Sequence, residues 1–198
     1  KNILKFNKYN NFFGFLAGLI AFVVFYLTVE PTASYWDCAE YISTSAKLQI
    51  GHPPGAPLFQ MLGAIFSIFA FDVEQIAFTV NMMSVTSSAL TIIFLFWSIS
   101  LITKKILGIG DMLKKDEFLK VFGSSFIGAL TFTFTDSFWF NAVEAEVYAM
   151  ATLILSVLFW LGLKWESEFD SDRSDRWLIL ISFVIGLSFG VHFMGLLA

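Results

Sequence analysis

Two acids, a histidine and three prolines crowd into one short stretch of an otherwise apolar chain. Between Tyr35 and Pro57 lie Asp37, Glu40, Tyr41, His52, Pro53, Pro54 and Pro57. Ionisable groups at a membrane boundary are costly to keep unless they are used. The i, i+3, i+4 spacing puts Asp37, Glu40 and Tyr41 on one face of a helix. His52-Pro53-Pro54-Gly55 then stops that helix, because proline lacks the amide hydrogen and constrains the residue before it. A carboxylate here can take a proton, and an imidazole can stabilise developing negative charge. The stretch reads as an extracytoplasmic active-site loop. The alternative is an interfacial loop with snorkelling acids.

A second polar stretch runs from Asp136 to Tyr148. If it is helical, Glu144 and Tyr148 share a face and Glu146 points roughly opposite, so that one of the two acids is structural. Asp136 is a candidate for the site or for a helix cap. Asn81 falls about a turn into a long apolar run, where an amide needs a partner; it bonds within the bundle or lines a cavity. His192 lies 15 residues after Trp177, or about 22 Å further along a helix. Cys38 is the single cysteine, which excludes an internal disulfide.

The elements that must position these groups are membrane spans. Charged residues make up only 14% of the 198 residues, against about a quarter in soluble domains. Mean hydropathy is +0.75, and apolar runs of about 20 residues recur, the length of a spanning helix. The expected fold is an all-α polytopic membrane protein with five spans, at 12–29, 76–103, 121–135, 147–163 and 177–198. The apolar run 58–71 decides the topology. If it does not cross, 11 of the 12 basic residues lie on one side and only Lys47 on the other, as the positive-inside rule requires. About 14 residues is also the length of a re-entrant or interfacial helix. The N-terminus is then cytoplasmic, with a first outer loop at 30–75 and a second at 136–147. All the candidate groups then face one extracytoplasmic cavity. The pairs Gly14/Gly18 and Gly186/Gly190 have the spacing that permits close helix contact. The chain is expected to be a single transmembrane domain, 1–198, from the N-terminal part of a longer protein. With its charge sorted by side of the membrane, no nucleic-acid partner is expected.

An acidic pair after the first span, then Leu48-Gln49-Ile50-Gly51-His52-Pro53-Pro54-Gly55-Ala56-Pro57, a short buried helix and a long span together resemble the first outer loop of GT-C membrane glycosyltransferases. With Ala142-Val143-Glu144-Ala145-Glu146-Val147-Tyr148, the whole chain resembles a bacterial multipass family, formerly a domain of unknown function, that is related to protein O-mannosyltransferases. In those enzymes the acids are adjacent; here they are three residues apart. The resemblance implies a GT-C-like bundle in a bacterial inner membrane, with a periplasmic active site. It implies inverting transfer of a mannose-like sugar from a polyprenyl-phosphate carrier to a Ser/Thr hydroxyl of an extracytoplasmic protein. Asp37 would be the base and Glu40 would orient the acceptor. His52, Glu144, Glu146, Asn81 and His192 would bind substrate, with charge on the leaving phosphate met by His52, His192 or basic residues elsewhere. A divalent metal held by Asp37 with Glu144 or Glu146 is chemically reasonable, but mannosyltransferase relatives work without one, so none is expected. A non-catalytic scaffold is the competing class. A secondary transporter would place its acids near the midplane on broken helices.

Overall fold

The computed structural model describes residues 4–171 and 174–193. Eight helices follow in order: α1 (Phe6–Thr28), α2 (Cys38–Lys47), α3 (Pro57–Ser67), α4 (Ile76–Ile106), α5 (Lys115–Thr133), α6 (Asp136–Ala142), α7 (Val147–Ser167) and α8 (Ser174–Ser188). The only strands among the described residues, β1 (Leu4–Lys5) and β2 (Met112–Leu113), pair antiparallel.

The architecture is an all-α polytopic membrane protein. α1, α7 and α4 with the 3-10 turn before it are each long and apolar enough to cross a membrane. α5 and α6 make a fourth span if this pair, bent by 68°, is taken as one. The fifth expected span begins in α8, which has 15 residues; positions 194–198 lie outside the described residues. α4 is the central post, about 46 Å long at 1.5 Å per residue, and packs on α1, α5 and α7. Gly14 and Gly18 let α1 approach it closely, since a methyl group at either would collide with Trp97 or Ile93. The second glycine pair differs: Gly186 faces open space, and only Gly190 is crowded, against Leu58.

The two ends of the bundle differ in charge. At one end β1 pairs with β2, the Phe6 amide donates to the Asp111 carbonyl at 2.9 Å, and Lys104 and Lys105 pair with Asp111 and Glu166. At the other end Glu30, Asn81 and Ala145 come together. α3, with 11 residues, is too short to cross and packs on α2 and α4. This is the arrangement in which 58–71 returns rather than spans. A cysteine placed at exposed Ser43 and one at exposed Lys115 should therefore react with an impermeant maleimide from opposite sides of the membrane. Labelling of both from one side would mean that α3 crosses.

The structure corrects three local expectations. α8 stops at Ser188 rather than continuing through the described residues to 193, because the Gly190 carbonyl turns away to accept the free amides of Leu58 and Phe59 at the start of α3 (2.7 and 3.3 Å). The stretch 136–146 is not all loop, since 136–142 is helical. Glu144 and Glu146 precede α7 in non-helical backbone, so the helical-face argument about Glu144, Glu146 and Tyr148 does not apply.

Candidate active site at the acidic end

Asp37 sits at the N-cap of α2, yet its side chain makes no capping bond. Its carbonyl accepts the Tyr41 amide at 2.9 Å, and its carboxylate is left facing outward, half exposed. α2 ends at Leu48, which takes a left-handed conformation (φ 50°). The amides of Leu48 and Gln49 donate back to the Ser45 and Thr44 carbonyls, so the chain reverses as a left-handed cap allows. That reversal brings His52 over Glu40. The His52 amide donates to Glu40 Oε1 at 2.6 Å, and its Nδ1 lies 3.1 Å from Oε2. His52 Nε2 lies 3.8 Å from Asp37 Oδ2. Hydrogen bonds from the His52 amide and ring hold the Glu40 carboxyl below its ordinary range. The same Glu40 partnership raises the imidazole, which favours the imidazolium.

The second polar stretch supplies the opposite wall. Glu146 is 5% exposed, and its Oε1 is buried without a hydrogen-bond partner. Burial, reinforced by Asp37 and Glu144, pushes its carboxyl up to about 7. Glu144, 2% exposed, is also raised by burial, while the Ser34 hydroxyl works in the other direction. Burial pushes the Tyr41 phenol up to about 12.

Two cavities meet here. One, of about 140 Å3, is lined by Asp37, Tyr41, His52, Glu146, Tyr148 and His192, among others. The other, of about 300 Å3, is lined by Trp36, Asp37, Asn141, Glu144, Glu146 and Tyr148, among others. Asp37, Glu146 and Tyr148 line both. His192 reaches the first cavity through the turn after α8, with its ring 5.4 Å from that of Tyr148. Asp37, Glu40 and His52 each offer a ligand atom, all within 4.8 Å of one another. The arrangement can take a proton at Asp37, present a cation at His52 and hold a neutral carboxyl at Glu146.

Three candidates line neither cavity: Glu40, which stands behind His52, Asp136 and Asn81. Asp136 is exposed in the first turn of α6, where Thr135 is the N-cap, and it lines neither cavity. Asn81 is fully buried and lines neither cavity. Its Nδ2 donates to the Glu30 and Thr32 carbonyls at 2.7 and 2.9 Å, and its Oδ1 accepts the Ala145 amide at 2.9 Å. It is a clamp between the two polar loops. Sequence reasoning passed over Ser34 and Gln60; the latter donates to Thr44 at 2.9 Å and ties α3 to α2. No local pattern marks either residue.

Residues 37–198 match the family described as the protein O-mannosyl-transferase TMEM260 N-terminal domain. The chain is similar to protein O-mannosyl-transferase tmem260 of Dictyostelium discoideum, at 25% identity over 155 residues, covering 76% of this chain and 17% of that protein. It is similar to mouse protein O-mannosyl-transferase TMEM260 at 24% identity over 165 residues, covering 83% and 21%. The chain thus spans about a fifth of the length of these curated relatives. No solved structure matches it. The match takes in every candidate residue, and the chain belongs to the TMEM260 N-terminal domain family of protein O-mannosyl-transferases.

Proposed function

We propose that this chain carries the acceptor-activating half of an inverting glycosyltransferase. That enzyme moves a mannose-like sugar from a polyprenyl-phosphate carrier to a protein Ser/Thr hydroxyl. One observation carries the reading: the two acids of the first polar loop are not equivalent. Glu40 is occupied by His52 through two close contacts and held in its weakly basic form. Asp37 makes no capping bond, has only a long contact to His52 and faces both cavities. It is the carboxylate free to act as base.

In the proposed reaction Asp37 takes the hydroxyl proton as the acceptor oxygen bonds to the anomeric carbon. The carbon–oxygen bond to phosphate breaks from the opposite face, and polyprenyl phosphate leaves with the electron pair. A lipid phosphate needs charge stabilisation more than protonation, and His52 and His192 stand in the cavity wall to provide it. Glu40 holds His52 in place. Glu146, whose carboxyl burial raises to about 7, can in its protonated form donate a hydrogen bond to a sugar hydroxyl.

An apolar groove of about 300 Å3, with Leu58, Leu62, Phe66, Met150 and Leu187 among its lining residues, starts about one turn of α7 from Val147 and suits an isoprenoid chain. The site then faces away from the lysine-rich end. By the positive-inside rule that places it on the extracytoplasmic side, periplasmic in a bacterial inner membrane. Full-length protein in nanodiscs should transfer labelled mannose from polyprenyl-phosphate mannose to a Ser/Thr peptide, with inverted anomeric configuration in the product. Transfer from a nucleotide sugar alone would refute the carrier; no transfer, together with tight binding of another membrane subunit, would favour a scaffold.

A further inference from the structure

The two cavities at the acidic end differ in chemistry. They share Asp37, Glu146 and Tyr148, but both histidines line the smaller one. The larger, of about 300 Å3, has no histidine, lysine or arginine among its described lining residues. Charge on a leaving phosphate is therefore met from the small-cavity side. A displacement at carbon brings the incoming oxygen from the opposite side, which leaves the larger cavity for the acceptor, with Asp37 between the two.

Independently, the larger cavity carries an exposed aromatic rim. Trp36 is 86% exposed and Phe140 48% exposed, and both line it. Trp36 has φ 59°, a left-handed conformation that a bulky side chain adopts only at a cost. Its neighbours hold it there. Ser34 hydrogen-bonds the Glu144 carboxyl, and the Asp37 amide hydrogen-bonds the Glu146 carboxyl. The chain is thus pinned to the second polar loop on both sides of Trp36, and the turn between displays the indole at the cavity's edge. Trp139, at the same end, instead donates to Thr28 at 2.9 Å and ties α6 to α1.

We propose, building on the transfer reaction of the preceding section, that the larger cavity is the acceptor subsite and selects a Ser/Thr segment with lysine or arginine beside the hydroxyl residue. Trp36 offers that cation its ring face, the most favourable of the aromatic faces for the purpose. The acids Asp37, Glu144 and Glu146 in the same wall add attraction that no described basic lining residue offsets. The same field disfavours Asp or Glu beside the hydroxyl. Trp36 is therefore a specificity-determining residue, while Asp37 remains the base.

Two fluorescein-labelled peptides test it, identical except for Lys or Glu on either side of a single Thr. Anisotropy is read on full-length protein in zwitterionic nanodiscs with polyprenyl phosphate present, so no turnover is needed. The lysine peptide should bind about tenfold tighter than the glutamate peptide. Trp36→Ala should remove most of that difference by weakening the lysine peptide, and Trp36→Phe should keep part of it. Phe71→Ala, at a residue 94% exposed but outside both cavities, should leave both affinities unchanged. Equal wild-type affinities, no binding of either peptide, or an undiminished difference in Trp36→Ala would overturn the subsite. So would an equal loss for both peptides in Trp36→Ala and in Phe71→Ala, which marks an interfacial anchor only. Transfer from polyprenyl-phosphate mannose without peptide preference would overturn the selection and leave the reaction standing; preference without transfer from that donor would do the reverse.

Discussion

Asp37→Asn should reduce sugar transfer by about 10²–10⁴-fold, or about 3–5 kcal/mol of barrier, the usual contribution of one general base. The amide keeps the size and hydrogen-bonding shape of the side chain but cannot accept the acceptor's proton. Folding should be little changed, because the Asp37 side chain caps nothing and is half exposed. Binding of the lipid-linked sugar should persist, since the donor makes no use of that proton acceptor. Glu40→Gln should cost less, because Glu40 acts through His52. The measurement is single-turnover transfer with donor saturating. Wild-type transfer by Asp37→Asn would remove Asp37 from the role of base.

Asn81→Ala should be the most destabilising single change near the site. The Asn81 amide satisfies the carbonyls of Glu30 and Thr32 and the amide of Ala145. Truncation removes this partner from three backbone groups, of which the Ala145 amide is buried and the Glu30 and Thr32 carbonyls are part-buried, at about 1–3 kcal/mol where water cannot replace it. It also frees the first polar loop from the second, so Glu146 loses its fixed position opposite Asp37. The expected outcome is a clear drop in the thermal midpoint in detergent, with transfer falling further than in Asn141→Ala, whose amide donates only to its own helix at 2.8 Å. A melting curve superimposable on wild type would show that the loops hold together without the clamp.

Three of the five expected spans, and a fourth where α5 and α6 are taken as one, were legible in the sequence, as was the short α3, because hydropathy and length follow from the same solvent boundary. The pairing of Asp37, Glu40 and His52 was half legible. The i, i+3 spacing of the acids is local, and the prolines announce a stop. That His52 folds back onto Glu40 depends on Leu48 taking a left-handed conformation, which nothing about leucine announces. Glu144 and Glu146 were visible as acids, but their burial comes from α4, α2 and the segment before α2 closing over them. Asn81 showed only as an amide in an apolar run; its partners lie 43–64 residues away. The end of α8 was misread for the same reason. A glycine can end a helix or sit inside one, so Gly190 did not by itself mark the stop; its carbonyl, just past the end of α8, serves amides of α3 that are distant in sequence.

The account turns on whether a lipid-linked sugar sits in the cavity between the first polar loop and the start of α7. A polyprenyl-phosphate mannose analogue bearing a photoreactive group near the phosphate, activated on full-length protein in nanodiscs and mapped by mass spectrometry, asks this directly. Crosslinks should fall on Tyr148, Phe189 or Phe193 in the cavity wall. They should appear in wild type and in Asp37→Asn alike and be competed by unlabelled donor. Crosslinks confined to the lysine-rich end, or labelling of the wall that excess donor does not reduce, would contradict the assignment of this cavity as the donor site.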